Sequence, residues 1–239
     1  MEKGAWAGFG ACVPDNFVGG GGLAESKSVM CDGVTLTGDL LKENVDYTFD
    51  KDTHLLTIKT AGEYTLSGTA KDQNFRVKVG EKASRIQTTL TIDNLTINTY
   101  IKEDEEHAPQ GYSPLDFSDA GATTLILVGK NHLTARAQNP AVFAPKVEKD
   151  GDLVDQLTIG GEGSLVAQGG YAWPGIGNTG SAKIRIEGGD ITAKGGEAAA
   201  LSAFRISPTA SERAMDLITP RSTVCTRKAS ASSSALTAA

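Results

Sequence analysis

The chain has 239 residues, enough for one large domain, with 28 glycines, few aromatics and a formal net charge of −6. No basic stripe is present, which argues against a nucleic-acid partner, and no apolar run reaches the about 18 residues of a membrane-spanning helix. The three cysteines, Cys12, Cys31 and Cys225, match no zinc spacing, although Cys12 and Cys31 could close a disulfide in an oxidising compartment.

Residues 1–32 are glycine-rich and lack periodicity, so they read as an irregular lead-in. Their start has one lysine and no continuous apolar core, and is not read as a signal peptide. From Val34 apolar and polar residues alternate, the period of a half-buried strand. Residues 34–37, 45–49, 64–69 and 75–79 follow this pattern, and 49–58 reads as a hairpin turning at 50–53. Residues 33–80 are therefore expected to form a β-rich cap over the open end of a stack of repeats.

Residues 81–196 repeat one phrase. Leu157-Thr158-Ile159 superposes on Ile184-Arg185-Ile186, and Leu165-Val166-Ala167 on Ile191-Thr192-Ala193. Earlier copies run through Leu125 and Leu133, through Leu90 and Leu95, and back towards Leu56 and Leu66. Ile92, Leu127, Ile159 and Ile186 are taken to mark the register, 35, 32 and 27 residues apart, within the range of solenoid repeats. A further short strand precedes each copy, at 115–118, 141–144 and 174–177. Each repeat then makes three strands joined by glycine turns, one coil of a β-helix, with coils stacked ~4.8 Å apart. The expected fold is all-β: a right-handed, single-stranded parallel β-helix, or solenoid, with a β-rich N-terminal cap and a disordered C-terminal tail.

The tail is residues 197–239. Alternation stops there, and Ser and Ala dominate the end, so disorder is expected. A sharper reading is a shifted reading frame, because codons for Ala-Ala-Ala-Leu-Ser-Ala can, one base over, encode the Gly-Gly-Ala-Ile-Gly that the repeat requires.

The phrases LTIDNLTINT, LTIGGEGSLVAQGGYAWPGIGN and IRIEGGDITAKGG, with the lead-in YTFDKDTHLLTIKTAGEYTLSGT, carry a family likeness. Over residues 45–196 the chain resembles bacterial surface carbohydrate-binding-domain-containing proteins with parallel β-helix repeats. The resemblance implies a non-catalytic protein, extracellular or at the cell surface, that binds polysaccharide, an acidic glycan and calcium being among the ligands of such proteins. The chain departs from the family at both ends, with no evident secretion signal or sorting motif, which suggests a piece of a longer protein or a frame error. A monomer is expected.

Candidate binding residues are the aromatics of the loops and turns, Tyr100, Tyr112, Tyr171 and Trp173, because flat rings stack on sugars. The competing reading is packing over a neighbouring coil. Asp93, Asn94, Asp116 and Asp119 lie near turns that stacking could bring together as calcium ligands, against the simpler role of satisfying turn amides. Phe117 and Phe143 read as core. Enzymatic function is not expected. Arg185 shares its face with Lys183 and Glu187 in a solvent-facing ladder, the histidines are scattered, and the carboxylate run Glu103-Asp104-Glu105-Glu106 beside His107 reads as a solvated loop. The alternatives are a structural or adhesive surface stalk without sugar affinity, and a β-helix polysaccharide lyase, the latter by fold analogy alone.

Overall fold

The computed structural model describes residues 13–14, 26–82, 84–99, 112–145, 148–149, 152–153, 156–178, 182–196, 204–206 and 224–228. Among these residues every regular element is a strand. The chain opens with β1 (Val13–Pro14), β2 (Ser26–Cys31) and β3 (Val34–Leu41), each antiparallel to the next. The turn between β2 and β3 is Asp32-Gly33, with φ of 51° and 88°. Two positive φ values in a two-residue loop match the twist of the flanking strands, which is why Asp-Gly makes hairpins. A second hairpin joins β4 (Tyr47–Asp50) to β5 (Leu55–Ile58), as its alternation predicts. There the Asp50 carboxylate accepts the amides of Asp52 and Thr53.

β6 (Gly62–Thr69) and β7 (Arg76–Val79) lead into the repeats. β8 (Thr88–Asn98), β9 (Leu115–Asp116), β10 (Thr123–Val128), β11 (Lys130–Thr134) and β12 (Val142–Phe143) come next. A small antiparallel pair, β13 (Glu148–Lys149) and β14 (Asp152–Leu153), interrupts them. β15 (Gln156–Gly161), β16 (Ser164–Gln168), β17 (Ile176–Gly177), β18 (Ala182–Ile186) and β19 (Asp190–Lys194) complete the repeats. β20 (Phe204–Ile206) and β21 (Val224–Lys228) come last.

The strands form two main sheets. One has 13 strands, with β1-β2-β3-β6-β8-β10-β15-β18-β20 in order and β11, β16, β19 and β21 beside them. The other has six, in the order β17-β12-β9-β7-β5-β4. Inward side chains of the two sheets make the core, with Leu66, Leu90, Ile92, Leu115, Phe117 and Leu127 among the fully buried. Burying each such side chain contributes about 1.5–3 kcal/mol.

This architecture corrects the expected fold. The chain is all-β, but it is not a single-stranded parallel β-helix, because both sheets are mixed. β1/β2, β2/β3, β3/β6, β4/β5 and β19/β21 are antiparallel. The N-terminal hairpins do not cover the repeats as a separate cap. They extend the same two sheets, because tight turns reverse the chain while each new strand still finds an open edge. Nor is the tail without structure throughout. β20 pairs parallel with β18, and β21 pairs antiparallel with β19. Both satisfy edge amides and carbonyls of β18 and β19.

The strand register agrees with the repeat phrase except at one seam. Leu157, Thr158 and Ile159 pair with Ile184, Arg185 and Ile186, as superposition predicts. Ile92 pairs with Leu127, but Leu127 then meets Gly161, and Ile159 meets Leu125. The seam between β10 and β15 is thus two residues off the expected register. A shift of two keeps every side chain on its own face, so hydrophobic pattern cannot detect it. Gly161 accommodates the seam, with φ of 100° and a position at which a Cβ would strike the Leu127 carbonyl. The expected turn at Asp93-Asn94 is instead a β-bulge inside β8, where Ser67 pairs with Asp93, Gly68 with Leu95, and Asn94 at φ 50° is the extra residue.

Candidate functional site

The outward face of the six-stranded sheet carries the densest set of functional side chains. Pairing places Thr48, Thr57, Lys78, Asp116, Phe143 and Gly177 in one row across it. Phe143 therefore points outward beside Asp116, and is half-buried. This corrects its reading as core, while Phe117 is fully buried as expected. Ala141, Val142 and Ala144 around Phe143 are all apolar, which hides the alternation.

Trp173 packs on Phe143, with ring centroids 6.2 Å apart and planes tilted by 41°. Gly177, next in the row, is buried. The turn holding Trp173 is compact. Ala172 has φ of 60°, the Trp173 amide donates to the Gly170 carbonyl, and the Trp173 carbonyl accepts the Gly196 amide. Glycine is required around it: a Cβ on Gly170 would strike the Ala137 carbonyl, and one on Gly196 the Gly170 carbonyl. That close approach is the physical meaning of the repeated Gly-Gly. Tyr171, in the same turn, is half-buried.

Tyr112, Asn139 and Trp173 occupy equivalent positions. The carbonyl of Tyr112 accepts the Arg136 amide at 3.3 Å, that of Asn139 the Gly170 amide at 2.9 Å, and that of Trp173 the Gly196 amide at 3.0 Å. Two sequence-predicted aromatics thus share one column along the stack, two strand spacings or ~10 Å apart. Tyr112 is also covered by Arg76, whose Cζ lies 4.0 Å from the ring centroid. Arg76 Nη1 donates to the carbonyls of Thr53 at 2.6 Å and Asn74 at 3.2 Å. Arg136 Nη1 reaches Asn74 Oδ1 at 3.5 Å. Burial holds the Arg76 guanidinium below its ordinary pKa, opposed by Tyr112, Asp50 and Asp116 nearby. Asp50 itself is held below the usual carboxylate range by its hydrogen bonds to Thr53 and Asp52.

The network continues behind this corner. His54 Nδ1 lies 3.1 Å from Asp32 Oδ2, and His54 Nε2 lies 3.7 Å from Asp72 Oδ2. Asp72 Oδ1 accepts both the amide and the side-chain amide of Asn74. Three turns distant in sequence are thereby tied together. None of Arg76, His54 or Asn74 stands out in sequence, because their meeting depends on strand order.

The four expected calcium ligands are not brought together. Asp93 and Asn94 lie in β8 of the 13-stranded sheet, Asp116 in β9 of the six-stranded one, and Asp119 in the turn after β9. Each has a local task. Asn94 Nδ2 donates to Asp93 Oδ1, and Asn94 Oδ1 accepts the Lys130 amide. Asp116 Oδ1 accepts the Ser118 amide, and Asp119 pairs with Lys78 at 2.6 Å. Among the described residues no group of three or more His, Cys, Asp or Glu is placed to hold a metal. Tyr100 lies outside the described residues. Arg185 pairs with Glu187 at 2.9 Å, in keeping with a solvent-facing ladder.

Comparison with protein-family models, with curated proteins and with solved structures returned no match, so the family likeness rests on the repeat phrases alone.

Proposed function

We propose that the protein is a non-catalytic polysaccharide-binding protein of the cell surface or extracellular space, and that the outward face of the six-stranded sheet holds the glycan. The observation that carries this reading is the half-buried Phe143–Trp173 pair on the outward row beside Asp116. A sugar ring needs an apolar plate for its C–H face and polar groups around its rim. Phe143 and Trp173 supply the plate, while Asp116 and Asn139 supply acceptors and donors at the adjoining positions. The column from Tyr112 to Trp173 runs along the stack and suits an extended chain rather than a single sugar. The disulfide made by Cys31, fully buried in β2, favours an oxidising compartment.

The test is a polysaccharide array probed with the full chain, in calcium and in chelator, beside Trp173→Ala and Phe143→Ala. Each variant should bind about tenfold more weakly, the value of one aromatic contact and its buried area, with an unchanged thermal midpoint. Silence of the folded protein across the array would refute the reading and favour a structural stalk.

A further inference from the structure

We infer that Arg76 is a carboxylate-reading residue, seating the acid group of a uronic-acid unit on a glycan held at the Phe143–Trp173 plate; this rests on the glycan-binding reading above. Three observations carry it. First, Arg76 is half-buried, and among the described residues no carboxylate lies within ion-pair distance of it. A guanidinium removed from water normally has an anion beside it. The nearby acids are engaged elsewhere: Asp50 by the amides of Asp52 and Thr53, Asp116 by the amide of Ser118, Asp119 by Lys78.

Second, the guanidinium is already fixed. Nη1 is held by two carbonyls, and Cζ lies over the Tyr112 ring. That leaves Nε and Nη2, the pair that makes the parallel fork to a carboxylate. A group oriented before the ligand arrives loses little entropy on binding. Third, Arg76 lies on the same outward face as the plate. It is two residues from Lys78, on a strand two spacings or ~10 Å from β12. One extended saccharide can therefore touch both.

Charges of both signs surround this corner, with Arg76, Arg136 and Lys78 facing Asp50, Asp116 and Asp119. Long-range attraction is consequently small, and discrimination comes from the fork itself. The experiment compares short oligomannuronate with the matching neutral β-mannan oligomer, in chelator, by calorimetry on the full chain and on Arg76→Lys. The two ligands differ only in the carboxylate. The wild-type protein should prefer oligomannuronate by about tenfold or more, the worth of a charge-assisted pair. Arg76→Lys, which keeps the charge and loses the fork, should bring the ratio of the two affinities, read within the same variant, to about one. Equal affinity of the wild type for both oligomers, or a preference that survives Arg76→Lys, would overturn the inference and leave glycan binding standing. Binding of neither oligomer, with silence on the array, would overturn both.

Discussion

Asn131 is a polar residue in an apolar column, and replacing it separates two ways of reasoning. Strand pairing places it beside Leu165, which in turn pairs with Ile191, and next to Leu95 on the other side. Pattern alone recommends leucine there. The structure forbids it. Asn131 Oδ1 accepts the Leu95 amide at 2.9 Å, and its Nδ2 donates to the carbonyls of Val128 at 2.9 Å and Ser164 at 3.0 Å. One buried amide thus pins three successive strands, β8, β11 and β16. In Asn131→Leu the buried Leu95 amide loses its partner at about 2 kcal/mol, and the two part-buried carbonyls lose about 1 kcal/mol each. The leucine regains about 2 kcal/mol through apolar burial. The net loss should be about 2 kcal/mol, seen in urea unfolding as a lower midpoint with an unchanged slope, and as a thermal midpoint lower by about 4–8 °C. Amide exchange at Leu95 should accelerate most. A leucine variant as stable as the parent would refute the argument and show that water, or a local shift, satisfies the three groups.

The same physics sets two further outcomes. Tyr47 is buried, and desolvation, with Glu43 adding to it, pushes its phenol to about 12. The folded value exceeds the unfolded value of about 10, so stability should be intact below pH ~10 and fall by up to about 2 kcal/mol as pH rises towards ~12. Tyr47→Phe should remove its share of that alkaline loss, and a tyrosinate absorbance titration of the native protein should show the phenols of Tyr47 and Tyr64, both raised by burial, titrating late. Gly170→Ala should cost at least about 3 kcal/mol, because its Cβ would enter the Ala137 carbonyl and force the Trp173 turn apart. A thermal midpoint within error of the parent would contradict the close approach.

What could be read from sequence was the set of strands and their inward residues. Leu90, Ile92 and Leu157 alternate with polar neighbours, and every one is buried, as are Leu125, Leu127 and Ile159 at the corresponding inward positions. Register was readable only up to a shift of two, and β10 against β15 took the other choice. Direction was not readable for the early strands. An Asp-Gly turn announces a hairpin, but not which sheet edge the hairpin will join. Nor was the pairing of β20 and β21, which depends on open edges left by β18 and β19 and not on their own pattern. In the site, Tyr112 and Trp173 were visible as aromatics among glycines. Phe143 was not, because only its pairing with Asp116 and Gly177 shows which way it points. Arg76 was missed because its meaning comes from Thr53, Asn74 and Tyr112, which strand order gathers.

The order of pairing along the chain also says how the protein can be made. Cys31 meets Val34, and Asp50 meets Leu55, so the first contacts close over a few residues. Thereafter each strand pairs with one laid down a single pass earlier: Gly62 with Thr88, Thr88 with Thr123, Thr123 with Leu157. No strand from β5 to β18 must wait for a distant C-terminal segment before it gains a partner. Short loops close fastest, and each later strand then meets an edge already in place. A chain leaving the ribosome, or threading through a membrane pore N-terminus first, can therefore build its sheets in the order in which its residues emerge.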